Sequence, residues 1–295
     1  MPSPVSVGLV GAGPWASLVH APMLAGTPHT RLAGVWARRP EAARELAAAH
    51  GTTAFDSLDA MFAASEAVAF AVPPDVQADL AVRAARAGKH LLLEKPIAGD
   101  VAGAEALVEA IDGAGVRSMV LLTWRYAGPV RSFLAETAVF RPFGGRALFV
   151  SGAFLGGHFA TPWRLARGAL VDLGPHVIDL LDAALGRVTA VDAHGSLLGW
   201  VSLDLGHEGG AVSQAAMCAI VALDAQRAGI DIYGAAGGLD LDCAAAVGPE
   251  TFVTVADELA AMVRTGQSHP IDAARGLHLQ RIIGRAEDQL RVATP

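Results

Sequence analysis

The chain has 295 residues, 53% of them hydrophobic, enough for a large core and more than one small domain needs. Its 22 basic and 29 acidic residues leave a formal charge of −7, which argues against general affinity for nucleic acid or an anionic membrane and favours a small-molecule partner. Cys218 and Cys243 supply neither a disulfide framework nor a zinc site, the ten histidines form no HExxH or HxH pair, and no metal is expected. The opening MPSPVSVGLVGAG lacks a basic n-region, its apolar run reads as a strand, and no uncharged apolar stretch reaches spanning length. A soluble, cytoplasmic protein in a reducing compartment is the expectation.

In chain order, Val5 to Val10 is the first predicted strand, and Gly11-Ala12-Gly13-Pro14-Trp15-Ala16 follows it and opens a helix. That context makes a GxGxxA pattern a credible dinucleotide turn. Gly11 allows the tight bend, Gly13 lets backbone approach a pyrophosphate, and small Ala16 lets helix and strand pack closely. The helix N-terminus offers N–H groups and positive partial charge to phosphates, and Pro14 gives up a donor that has no intrahelical partner anyway. A second strand, Leu32 to Ala37, ends without the acidic residue that reads a ribose hydroxyl. Arg38 and Arg39 stand there instead, where a 2′-phosphate would lie, which favours NADP(H) with NAD(H) still open; the plain alternative is a solvated arginine pair before a helix.

Helix is predicted over Pro40 to His50, strand over Ala67 to Val72, helix over Pro74 to Ala87 ended by Gly88, and strand over His90 to Leu93. The last strand runs straight into Glu94-Lys95-Pro96. In open α/β sheets ligands lie beyond the carboxyl ends of strands, so Lys95 is expected to face a bound cofactor rather than water. Trp15 in the turn, Glu94 beside Lys95, and Val72, Pro73 and Pro74 at the end of the preceding strand join the predicted cofactor contacts. Strand Ser118 to Leu122 completes an alternating pattern that implies a doubly wound parallel sheet over residues 1–122, a Rossmann domain.

After a helix near Pro129 to Ala138 the pattern changes. Arg146 to Leu155, Val188 to His194, Val212 to Leu223 and Gly229 to Tyr233 read as strands without a helix between each pair, implying a large, mostly antiparallel, open-faced sheet in an α+β domain over 123–295. Gly206 to Gly210 reads as a hairpin turn. Helices are expected at Pro175 to Leu185, Val253 to Arg264 and Ala273 to Gln289. The open face is a natural surface for a homo-oligomer, a dimer or tetramer.

These segments together carry a resemblance. VGLVGAGPWASLVHAPML, AVPPDVQADLAVRAARAGKHLLLEKPIA, WRLARGALVDLGPHVIDLLDAALG and IDIYGAAGGLDLD, in this order and spacing, resemble the Gfo/Idh/MocA oxidoreductases over nearly the whole chain. The resemblance implies a Rossmann domain followed by an α/β domain with an open sheet, and hydride transfer between a nicotinamide and a hydroxyl or carbonyl carbon of a sugar, cyclitol or related molecule. It implies that Lys95 contacts cofactor and substrate oxygen, with a Lys95–Pro96 bond often cis, and that Asp172 and His176 form the D-x-x-x-H pair of a C-domain helix. There Gly174 would cap the helix and Pro175 take its first position. His176 would then lie in the first turn, where the dipole disfavours imidazolium and leaves a neutral base. Trp163 and Arg164 match substrate-contacting positions, and Arg125 matches a recurrent arginine whose alternative role is structural. His20 reads as a packed helix residue, while Asp179 and Asp182 read as solvated or helix-terminal charges. Two departures stand out: Gln77 occupies a position often held by histidine, and Arg167-Gly168-Ala169-Leu170 replaces a glycine cluster before Asp172. The alternatives within the same resemblance are a cofactor-bound sensor and a glycoside hydrolase that recycles bound NAD.

Overall fold

Every residue of the strand Val5–Val10 (β1) is buried, as a strand covered on both faces requires. The structure, a computed structural model, describes residues 3–292. β1 pairs within a six-stranded sheet with Thr30–Trp36 (β2), Thr53–Ala54 (β3), Ala67–Phe70 (β4), His90–Leu93 (β5) and Ser118–Val120 (β6). The order is β3-β2-β1-β4-β5-β6 and every pairing is parallel. The order reverses between β1 and β4, the switch point beyond whose carboxyl ends such sheets take ligands.

The crossovers are Ala21–Ala25 (α1), Pro40–Ala49 (α2), Leu58–Ala63 (α3), Pro74–Arg86 (α4) and Val101–Ala114 (α5). Local chemistry sets their ends. Proline opens α2 and α4, the side chains of Ser57 and Asp100 accept from Ala60 N and Gly103 N to cap α3 and α5, and Gly88 turns left-handed at φ +73° after α4. β3 and α3 occupy a stretch to which the sequence reading assigned no element; both are too short for a periodic signal.

The second sheet contains Gly144–Val150 (β7), Val188–Gly195 (β8), Val201–His207 (β9), Val212–Cys218 (β10), Arg227–Gly234 (β11) and Gly237–Asp242 (β12). Its order is β12-β11-β7-β10-β9-β8; only β7 and β10 run parallel. Alternation is clear along β9, where Val201, Leu203 and Leu205 are buried and Asp204 is exposed. One face packs beneath Pro162–Asp172 (α6) and Gly174–Leu185 (α7). The other stays open and polar, with Arg146 Nε on Asp231 Oδ2 at 2.7 Å and Gln214 Nε2 on Asp204 Oδ1 at 3.0 Å. The predicted hairpin turn is present, with Gly209 and Gly210 at φ +87° and +88°.

The chain divides into two units: residues up to Leu121 with Phe252–Leu277, and Leu122–Thr251 with the chain from His278. Phe252–Leu277 thus clusters with the first unit and not with the residues that flank it in sequence. Its attachment is explicit: Val120 N donates to Ile271 O at 2.7 Å, Ala273 N to Ser118 Oγ at 3.0 Å, and Arg117 Nε to Gly266 O at 2.6 Å. Among the described residues no helix is long and apolar enough to cross a membrane.

Candidate functional site

The first unit carries the dinucleotide turn and the lysine loop. Gly11 has φ +116°, and a Cβ there would lie 2.4 Å from Ala71 O, so only glycine fits the bend. Gly13 is different: nothing lies within 4 Å of where its Cβ would be, so its backbone faces open space that a ligand can approach. Ser17 N donates to Gly13 O at 3.1 Å, starting the helical path, and Ala16 is fully buried against the sheet. The path widens into a π-helical turn over Ala16–His20 before α1, a local feature common near functional sites. These features fit a dinucleotide, because the N–H groups of an open helix start and a side-chain-free cradle are what a pyrophosphate needs.

Arg38 and Arg39 follow β2, are exposed, and carry no ion pair among the described residues. Val72, Pro73 and Pro74 lie just past the carboxyl end of β4: Val72 is half-buried, Pro73 caps α4 and Pro74 opens it. Lys95 is half-buried just past the carboxyl end of β5, and the Lys95–Pro96 bond is cis. Glu94 joins this loop to the turn. Its Oε1 accepts from Trp15 Nε1 at 2.6 Å and lies 2.8 Å from Nε2 of the fully buried His20. The sequence reading offered Trp15 and Glu94 as separate cofactor contacts and His20 as packing; the structure brings the three together. Their separations of 79 and 74 residues left no local signal of the link.

The second unit holds the D-x-x-x-H pair. α6 passes into α7 through Leu173, itself helical at φ −93°, ψ −31°. Leu173, not Gly174, is therefore the residue ahead of α7, because the preceding helix continues straight through it. Asp172 and His176 are four positions apart on this path and share a face. His176 lies in the first turn of α7, half-exposed, with its ring 5.3 Å from Trp124 and 6.5 Å from Phe149, rings that themselves stack at 5.2 Å. Asp172 Oδ1 accepts from Arg164 Nε at 3.1 Å. The Arg164 guanidinium lies 4.5 Å over the Trp163 ring and 5.6 Å from that of Phe159, and its Nη1 reaches Thr161 Oγ1 at 3.3 Å. Trp163, Arg164 and Asp172 thus form one cluster. Gly168, in the departed loop, has φ +75°, and a Cβ there would collide with Leu197 O.

Arg125 is engaged by a buried carboxylate. Its Nη1 is 3.1 Å from both oxygens of Asp179, which is 1% exposed. Asp182, 5% exposed, accepts Val188 N at 2.7 Å and lies 2.7 Å from His278 Nε2. Both aspartates correct the surface-charge expectation. Almost every residue of α7 is buried, and a carboxylate on such a helix needs a partner; the apolar run from Val177 to Leu185 that encloses both aspartates was the signal available in the sequence.

Comparison with known proteins completes the picture. The family model described as "Oxidoreductase family, NAD-binding Rossmann fold", GFO_IDH_MocA, matches residues 5–122. A levoglucosan dehydrogenase of Pseudarthrobacter phenanthrenivorans is 28% identical over 226 residues, 72% of this chain but 50% of that protein. An inositol 2-dehydrogenase of Rhizobium meliloti is 36% identical over 41% of this chain and 37% of its own length, so the chain spans half or less of these two relatives. A dTDP-3,4-didehydro-2,6-dideoxy-alpha-D-glucose 3-reductase of Streptomyces violaceoruber is 31% identical over 80% of this chain and 72% of that protein. Among solved structures, a levoglucosan dehydrogenase in complex with NADH and L-sorbose superposes with a TM-score of 0.86 at 19% identity, covering 99% of this chain and 98% of that one; that likeness speaks to the fold. Sequence, fold and turn geometry agree that the chain belongs to the Gfo/Idh/MocA family of oxidoreductases.

Proposed function

We propose that this protein is an NAD(P)-dependent dehydrogenase or reductase acting on a hydroxyl or carbonyl carbon of a sugar, cyclitol or related small molecule. The observation that carries the reading is the linkage of Trp15, in the dinucleotide turn, to Glu94, the neighbour of Lys95, by a 2.6 Å hydrogen bond. It links the dinucleotide turn directly to the lysine loop. A bound nicotinamide nucleotide supplies the hydride acceptor or donor. Gly11, Gly13, Pro14 and Ala16 shape its phosphate cradle, and Val72, Pro73 and Pro74 border it. Lys95 places a cation near the reacting oxygen and stabilises its alkoxide character. His176 takes or returns the hydroxyl proton. Asp172, Arg164 and Trp163 orient substrate hydroxyls. Because Arg164 is already paired with Asp172, this cluster is suited to uncharged hydroxyls and not to a phosphate.

The exposed, unpaired Arg38 and Arg39 support NADP(H) over NAD(H). The two buried free thiols suit a reducing, cytoplasmic setting, and the open sheet face suits a homo-oligomer. The test is titration with NADPH and NADH by tryptophan quenching and nicotinamide fluorescence, after checking for copurified nucleotide. Tighter, reversible NADPH binding is expected, weakened selectively by Arg38→Ala with Arg39→Ala. Tightly retained NAD would shift the reading to an internally recycling hydrolase, and failure to bind either nucleotide would overturn it.

A further inference from the structure

Gln77 sits in the first turns of α4, fully buried, with its backbone N on Pro73 O at 2.9 Å. Its side chain does not fill apolar space; it reads the backbone of the lysine loop. Oε1 accepts Glu94 N at 2.8 Å, and Nε2 faces three carbonyls: Glu94 O at 2.8 Å, Ile97 O at 3.1 Å and Pro96 O at 3.4 Å. An amide nitrogen has two hydrogens, so the two shorter contacts take them and the third is shared. One acceptor aimed at an N–H and one donor aimed at carbonyls also fix the amide's orientation without ambiguity. The bonds fall on both sides of Lys95, at residue 94 before it and at 96 and 97 after it, so a single side chain closes the loop like a bracket. The loop's far side is held too: Ile97 packs against Gly276, where a Cβ would come within 2.5 Å of Ile97 Cγ2.

We infer that Gln77 is a positioning residue that fixes where Lys95 is presented, through these bonds to the backbone of residues 94, 96 and 97. The inference rests on the proposed role of Lys95. Gln77 touches neither nucleotide nor substrate, since it is wholly enclosed, and it acts by denying the loop the freedom to shift. A displacement near 1 Å at a reacting group lowers turnover by about 100-fold. A residue that merely supported the fold would lower stability and leave the reactivity of Lys95 unchanged in the protein that remains folded.

The sequence makes the test clean, because Lys89 and Lys95 are its only lysines. Lys89 Nζ is held on Ser65 O at 3.0 Å and serves as an internal reference. Wild type, Gln77→Leu, Gln77→Glu, Gln77→His and Lys95→Ala would be compared by trace labelling with acetic anhydride. Mass spectrometry would read the Lys95 to Lys89 ratio with and without NADH, alongside nicotinamide fluorescence, melting temperature and turnover. In the wild type NADH is expected to protect Lys95. Gln77→Leu removes every side-chain bond of the bracket, and Gln77→Glu keeps the acceptor but turns oxygen toward three carbonyls. In both, kcat should fall roughly 10- to 100-fold with NADH affinity within about threefold, and NADH should no longer protect Lys95 as in the wild type. Gln77→His, which retains one donor and one acceptor, should recover most of the protection and turnover. If Gln77→Leu does not fold, the contrast between the glutamate and histidine variants decides. Wild-type protection and turnover in Gln77→Glu or Gln77→Leu would overturn the inference. Should Lys95→Ala itself keep full turnover, the role proposed for Lys95 would fall; a dead Lys95→Ala beside a wild-type-like Gln77→Leu would remove the bracket alone.

Discussion

Two glycines in one turn should respond in opposite ways to the same substitution. Gly11→Ala places a methyl group 2.4 Å from Ala71 O on a backbone held at φ +116°. A side chain in such a conformation costs roughly 1–3 kcal/mol before the steric conflict is relaxed. With about 2–4 °C lost per kcal/mol in a domain of this size class, Gly11→Ala should melt roughly 4–10 °C below the wild type. Gly13 is not left-handed, and its Cβ would meet nothing within 4 Å. Gly13→Ala should therefore change the melting temperature by no more than about 2 °C. The methyl would nonetheless occupy the space through which a pyrophosphate approaches, and nucleotide affinity should drop at least about tenfold, near 1.4 kcal/mol. Scanning thermal denaturation and NADPH or NADH titration on both variants provide the assay. Wild-type nucleotide affinity in a well-folded Gly13→Ala protein would count against Gly13 as a phosphate approach, and equal destabilisation by the two substitutions would count against the distinction between the two glycines.

The remaining predictions concern buried charge. Asp179→Ala leaves Arg125, only 19% exposed, without its carboxylate and should cost about 3 kcal/mol; in denaturant melts the double variant Arg125→Met with Asp179→Leu should be milder than that single change. His90 is half-buried, and its pKa is lowered first by loss of hydration, then by the Arg117 charge, with Glu66 opposing. The unfolded chain then binds the proton first, so stability should decline as pH falls below about 6.5 and level off beneath the depressed folded value. His90→Asn should flatten that slope in melting temperature measured against pH, and an unchanged slope would count against it.

Much of the first sheet was legible because its signals are local. β1 and β5 fall where continuous apolar runs place them, and Pro40, Pro74 and Gly88 punctuate the helices as their backbone preferences dictate. β12 escaped because it is a glycine-led edge strand with little burial, and α6 because Gly168 interrupts it with a non-helical conformation. β9 carried a period-two pattern from Val201 to His207 that could have been read. At the site, Lys95 was placed by its position after a predicted strand, and Asp172 and His176 by the family resemblance. What those residues rest on did not: Glu94 with Trp15 and His20, Gln77 across the lysine loop, and Arg125 with Asp179 are pairings between distant segments. Only the topology brings them together. Buried polar side chains in apolar surroundings, as at Gln77 and Asp179, are the general hint that such partners exist.

The proposed chemistry moves hydride with Lys95 at the reacting oxygen. The most direct measurement is nicotinamide absorbance during incubation of wild type and Lys95→Ala with NADP+ or NAD+ and a panel of sugars and cyclitols, with nucleotide affinity measured in parallel. Turnover by the wild type is expected on at least one polyhydroxylated substrate, with a loss of at least about 100-fold in Lys95→Ala and nucleotide binding largely preserved. Undiminished turnover in a nucleotide-binding Lys95→Ala protein would contradict that chemistry.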